Sequence, residues 1–163
     1  MVTCYGTLNG STCDGNGYDA HNRPTRKTYS VPAGVSATPT VVYCYDGQSY
    51  SNEACTGSTV AGELGRLTSV GNSASSTNYT HDLAGRVVSS TQRTTGLSEK
   101  LFTYSHFAGD AGGEEVYPSE RRVVTCPDAL QRVAWVSGSK TFAECAAGAA
   151  PSSSEAFASG IQY

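Results

Sequence analysis

TNYTHDLAGRVVSSTQ, residues 77–92, is the stretch that decides how this chain folds. TNYTH and RVVSSTQ each carry the β-branched and aromatic residues of a strand, and four residues separate the two runs, Asp82-Leu83-Ala84-Gly85. Those four read as a turn: an Asp side chain accepts hydrogen bonds from nearby backbone N–H groups, and Gly85 tolerates positive φ. The stretch is therefore a β-hairpin. A single hairpin buries too little surface to stand alone in water, so it must find its partners in further strands.

The same arrangement recurs along the chain. Tyr18, Asp19 and Arg23 occur in YDAHNRPTRKTYS, residues 18–30, and Asp82, Gly85 and Arg86 occur in THDLAGRVVSSTQ, residues 80–92, with His81 in the Tyr position. A third copy is split: Tyr45 and Asp46 end VVYCY-D, while Gly65 and Arg66 open GRLTSV after an inserted Gly/Ser/Thr-rich segment, residues 47–62. CPDALQRVAWVSG, residues 126–138, supplies Asp128 and Arg132. Arg66 and Arg86 lie 20 residues apart and Arg86 and Arg132 46 apart, which leaves room for one more unit. YSHFAGDAGGEEVYPSE, residues 104–120, fills that slot in degraded form, with Phe107 in place of Asp and Gly112 in place of the apolar residue. About five units thus span residues 18–138, preceded by a partial strand region, 1–17, and followed by an Ala/Ser/Gly-rich segment, 139–163, read as a tail or an incomplete repeat.

These units resemble the RHS (rearrangement hotspot), or YD-repeat, family. The segments YCYDG, ELGRLTSV, DLAGRVVSSTQ and YPSE-RRVVT carry the resemblance, in the family's order. Departures are His81, the Phe107 unit, Pro127 before Asp128, and Gln131 where Gly is usual. The resemblance implies an antiparallel sheet of hairpins that curls into a shell. Five hairpins would be one segment of such a wall, with the adjacent repeats of a longer parent chain as neighbours. Larger members enclose or present a C-terminal domain, often a toxin, or contact partners at the cell surface, so the resemblance also implies a secreted or surface location for the parent and a bacterial source.

Composition agrees with an all-β fold having little or no helix. Ser, Thr and Gly number 21, 18 and 18 of 163 residues, while Leu, Ile, Val and Phe number only 7, 1, 14 and 4, so the core must be thin. Ten Tyr and a net charge of only -3 argue against charge-driven disorder. Three Lys and eight scattered Arg make no basic stripe, so nucleic acid is not an expected partner. No apolar run approaches the roughly 20 residues of a membrane-spanning helix. The opening MVTCYGTLNG has neither the basic nor the apolar region of a secretion signal.

Six cysteines allow fifteen complete pairings. Cys4-Cys13 and Cys44-Cys55 would each close a short loop in an oxidising compartment, with Cys126 and Cys145 unassigned; reduced thiols are an equal alternative. The spacings do not suit a structural zinc site. His21 falls in a turn, His81 in the motif Tyr position and His106 in an aromatic strand position, so none points to a Cys-His hydrolase. Glu53 and the Glu114-Glu115 pair read as solvated turns rather than as a glycosidase pair.

The expectation is a structural repeat segment with no catalysis, cofactor or metal of its own. The alternative is a stand-alone surface module binding carbohydrate or protein through exposed Tyr rings. Burial of Tyr43, Tyr45, Tyr79 and Tyr104 against neighbouring strands would favour the wall. The chain ends would leave unpaired sheet edges, which promote association.

Overall fold

A computed structural model describes residues 2–109 and 112–161. Fifteen strands carry almost all of the regular structure: β1 (Val2–Cys4), β2 (Leu8–Asn9), β3 (Thr12–Cys13), β4 (Arg26–Ser30), β5 (Val41–Tyr45), β6 (Ser49–Ser51), β7 (Ala54–Thr56), β8 (Leu67–Gly71), β9 (Ser75–His81), β10 (Val87–Thr94), β11 (Lys100–His106), β12 (Gly113–Val116), β13 (Arg122–Pro127), β14 (Val133–Ser137) and β15 (Ala156–Ser159). One helix, α1 (Phe142–Ala146), and one 3-10 turn (Ala61–Glu63) complete the described elements. The fold is all-β and antiparallel, with the hydrogen-bonded order β1-β4-β5-β8-β9-β10-β11-β12-β13-β14-β15 and two separate small hairpins, β2-β3 and β6-β7.

The chain divides into two compact units, residues 1–85 with 91–99, and residues 86–90 with 100–163, so β10 contributes to both. In the first unit, β5 turns Val42 and Cys44 inward and leaves Val41, Tyr43 and Tyr45 half-buried, the period-2 pattern of a strand with one covered face. Opposite it, Thr68 and Ser69 of β8 are buried, and both hydroxyls are satisfied: Thr68 Oγ1 donates to the carbonyls of Cys44 and Gln48, and Ser69 Oγ to that of Thr77. In the second unit, Val124 and Cys126 of β13 and Trp135 of β14 form the core, with Cys145 of α1 and the ring of Phe107 packed against them.

All six cysteines are paired: Cys4 with Cys13, Cys44 with Cys55, and Cys126 with Cys145. Of the seven buried hydrophobic residues among those described, four are half-cystines, so the cross-links occupy the positions that aliphatic side chains fill in a thicker core.

Three segments carry more structure than their composition suggests. Residues 47–62, read as a loop, contain the β6-β7 hairpin and run into the 3-10 turn. The small hairpin is held because Cys55 is tied to Cys44 and the Tyr50 N–H donates to Ser69 Oγ at 3.1 Å. Residues 139–163, read as a tail or incomplete repeat, form α1 and then β15, which pairs with β14. A five-residue helix is too short to nucleate alone. Here the Thr141 side chain and Glu144 make a reciprocal capping box, Phe142 stacks on Phe107 with ring centroids 4.1 Å apart, and Cys145 bonds to Cys126. Glu114 and Glu115 lie in β12, not in a turn; Arg122 donates to Glu114 at 2.8 Å and the Tyr117 hydroxyl to Glu115 at 3.1 Å.

Candidate functional site

The recurring turns are the one constellation that the sequence motif and the geometry share. In the first, the Asp19 N–H donates to the Arg23 carbonyl at 3.0 Å and the Asn22 N–H to the Asp19 carbonyl at 3.0 Å, with Asn22 at φ 60°. The turn from Asp128 to Arg132 repeats both bonds at 2.7 and 3.0 Å, with Gln131 at φ 62°. This is the type I turn followed by a left-handed residue that closes three-residue hairpin loops. In the turn from Asp82 to Arg86, the Gly85 N–H donates to the Asp82 carbonyl, with Gly85 at φ 90°. Glycine suits that left-handed position without strain; Asn is tolerated there, and Gln131 adopts it in place of the usual Gly.

The split unit closes the same way across its insertion. The Asp46 N–H donates to the Arg66 carbonyl at 3.0 Å, and Tyr45 pairs with Leu67 as Tyr18 pairs with Pro24 and Pro127 with Val133. In the degraded unit the Phe107 N–H donates to the Gly112 carbonyl at 3.1 Å, and His106 pairs with Gly113, so Phe107 takes the Asp place of the ring and Gly112 takes the Arg place, not that of the apolar residue the sequence suggests. A further turn with the same two bonds lies from Tyr117 to Arg121, with Glu120 at φ 65° and no Asp. The ring-closing backbone bond is thus shared by the turns that start at Asp19, Asp46, Phe107, Tyr117 and Asp128, and it does not require an Asp.

The Asp side chains reinforce it where present. Asp19 Oδ1 accepts from the N–H groups of His21 and Arg23, both at 2.9 Å, and Asp128 Oδ1 from those of Leu130 and Arg132 at 2.8 and 3.0 Å. Asp46 Oδ1 accepts from the Gly65 N–H at 2.6 Å. The Arg23 backbone N–H lowers the Asp19 pKa, and the Arg132 guanidinium that of Asp128.

The arginines extend from one turn to the next. Arg23 donates Nε to Asp19 at 2.7 Å and its two terminal nitrogens to both Asp46 oxygens at 3.0 and 2.8 Å, with its guanidinium 4.3 Å from the Tyr45 ring centre. The Arg23 guanidinium and the Gly65 N–H together hold the Asp46 pKa down at about 2. Arg66 Nη1 donates to the Asp82 carbonyl at 2.7 Å, and Arg86 Nη1 to the Phe107 carbonyl at 3.0 Å. In all three cases the arginine of one unit holds the residue in the Asp position of the following unit. Arg132 folds onto its own Asp128 at 2.7 Å.

Elsewhere the titratable groups are tied into the framework. His81 Nδ1 lies 2.5 Å from Glu63 Oε2, which anchors the end of the insertion to β9. His106 Nε2 lies 2.7 Å from the Val87 carbonyl, and His21 is exposed in its turn. The disulfides leave no thiol for a nucleophile or a thiolate metal site. Among the described residues, the one metal-like grouping, Cys4, Cys13 and Asp14, has both sulfurs in a disulfide. No helix among them is long and apolar enough to cross a membrane.

Tyr43, Tyr45, Tyr79 and Tyr104 are all half-buried. Tyr45 donates its hydroxyl to the Pro24 carbonyl, and the hydroxyl of Tyr104 meets Ser90 Oγ. Tyr5 and Tyr18 are the exposed pair, with ring centres 5.4 Å apart. Comparison with known proteins gives no matching family model and no curated protein of significant similarity.

The tip of β6-β7 is a two-residue turn, Asn52-Glu53, with φ of 48° and 61°. A turn with both central residues left-handed favours Gly second. Glu53→Gly is therefore expected to stabilise the chain by about 0.5–1 kcal/mol, net of the extra freedom Gly gains when unfolded. Thermal unfolding checks this; a melting temperature lower than that of the parent chain would refute it.

Proposed function

We propose that the chain is a structural segment of an RHS/YD-repeat protein, a piece of a β-shell whose larger members enclose or present a C-terminal domain. It carries no catalysis of its own. The observation that supports this most is the arginine from one turn reaching the Asp position of the next, at Arg23, Arg66 and Arg86. A bond that recurs between successive units is economically a building rule, since each repeat is then completed by its neighbour. Half-burial of the four motif-associated tyrosines points the same way. In this reading the partners are adjacent repeats of a longer secreted or surface-exposed bacterial chain.

Sequencing the DNA on both sides of the reading frame tests it. In-frame Tyr-Asp units continuing upstream or downstream are the expected result; start and stop signals bounding residues 1–163 would sink the proposal. The isolated chain is also expected to associate through the edges of β1 and β15, the outermost strands of the sheet order among the described residues. Sedimentation that shows only monomer across a hundredfold range of concentration would contradict that expectation.

A surface carbohydrate- or protein-binding module is the second reading. It is favoured by the exposed Tyr5 and Tyr18 rings and by Lys27, whose ammonium lies 5.7 Å from the Tyr5 ring centre and 5.2 Å from that of Tyr29.

A further inference from the structure

The insertion in the split repeat builds one wall of a groove that the bare repeat would lack. The Tyr50 ring lies directly over Gly71, where a Cβ would come within 2.5 Å of a ring carbon, so the absence of a side chain at Gly71 lets the ring settle onto the sheet. Facing it, two turns are bound together: the Thr95 N–H donates to the Ala74 carbonyl at 2.9 Å, and Asn72 Oδ1 accepts from the N–H groups of Ala74 and Ser75. Between the hairpin tip and these turns lies an open groove of about 680 Å³, edged by Tyr50, Asn52 and Glu53 on one side and Arg93 and Glu99 on the other.

We propose that this groove binds an oligosaccharide, with Tyr50 as the ring on which a sugar stacks and Asn52 and Glu53 as hydrogen-bonding groups for its hydroxyls. The volume lies within the roughly 300–1,000 Å³ that small-molecule sites occupy. The lining chemistry selects the class. It is rich in hydroxyl, amide and carboxylate groups, with Leu97 and Ala74 the aliphatic exceptions, so an apolar ligand would leave polar groups unpaired. Arg93, the cation lining the groove, is paired with Glu99 at 2.5 Å, so an anionic ligand would have to displace a carboxylate to reach it. A sugar offers both a C–H face for an aromatic ring and hydroxyls that donate and accept.

Glu53 adds a separate argument. Its carboxylate and the Asn52 amide have no partner among the described residues, and Glu53 holds a left-handed backbone that Gly would adopt at lower cost. None of these residues belongs to the repeat turns, so the inference stands independently of the wall reading.

The test is an NMR titration of the full oxidised chain with chitotetraose, cellotetraose and maltotetraose, with affinities taken from the same shifts. At least one tetrasaccharide is expected to shift amides confined to residues 50–53, 72–76 and 93–99. Glu53→Gly should weaken that binding about tenfold or more while leaving the melting temperature equal or higher. Arg93→Ala, which unseats Glu99, is expected to weaken it as well. No shift with any of the three at millimolar concentration would overturn the proposal, as would shifts centred on Tyr5 and Tyr18, or an affinity unchanged in both variants.

Discussion

Reduction of the three disulfides will unfold the chain at 25 °C. The bonded cysteines are 9, 11 and 19 residues apart, and closing loops of that size removes about 3 kcal/mol of unfolded-state entropy each. The combined loss, on the order of 8 kcal/mol, is comparable with the roughly 5–15 kcal/mol by which whole domains are stable. Little else would compensate, because among the described residues the other buried hydrophobic ones are Val42, Val124 and Trp135. Each bond also fixes an element that is too short to hold itself: β2-β3, β6-β7 and α1. The only Trp in the chain, Trp135, reports on the second unit separately. Replacing Cys126 and Cys145 together by Ala should cost about 3 kcal/mol or more and shift Trp135 emission to the red at lower denaturant than in the parent. Native emission and native far-ultraviolet circular dichroism after complete reduction would refute the argument.

The motif strands were legible because their signals are local. VVYCY, RLTSV, TNYTH and RVVSSTQ carry period-2 or β-branched patterns, and Asp with Gly65 or Gly85 marks the turns between them. What stayed hidden is set by contacts between distant residues. The β6-β7 hairpin has strands of three residues and depends on Cys44 and Ser69, which lie outside it. Helix α1 did leave a local mark, the capping-box pattern Thr141-x-x-Glu144, but the surrounding Ala/Ser/Gly composition masked it. The arginine bridges could not be read at all. Motif spacing shows that Arg23, Arg66 and Arg86 recur, yet their acceptors differ chemically: a carboxylate at Asp46 and main-chain carbonyls at Asp82 and Phe107. Backbone acceptors have no side-chain signature, which is why Phe107 can replace Asp without loss of the bridge. The groove at Tyr50 was invisible for a related reason, since its walls come from three turns separated in sequence.

Arg23→Ala should destabilise the first unit by about 2–3 kcal/mol, the largest loss expected from a single surface-accessible side chain here. Three contributions meet at this residue: the bond to Asp19, the paired bonds to Asp46, and the stacking of the guanidinium on Tyr45. Truncation also leaves two carboxylates facing one another without a cation. Arg23→Lys keeps the charge but not the planar fork, so it cannot hold both Asp46 oxygens and Asp19 together, and it should recover less than half of the loss. The same network fixes the response to acid. Asp46 has a native pKa of about 2, below the ordinary value of 3.8, so its contribution is complete above the unfolded value and is lost as the pH falls from about 4 towards 2. Because the pair is partly open to water, that contribution is about 1 kcal/mol. Asp46→Asn should therefore flatten the acid limb of the stability curve as well as lower its plateau. Denaturant titrations at several pH values between 2 and 7 would separate the two effects. Equal acid sensitivity in Asp46→Asn and the parent chain would show that the Arg23 bridge does not carry the energy its geometry implies.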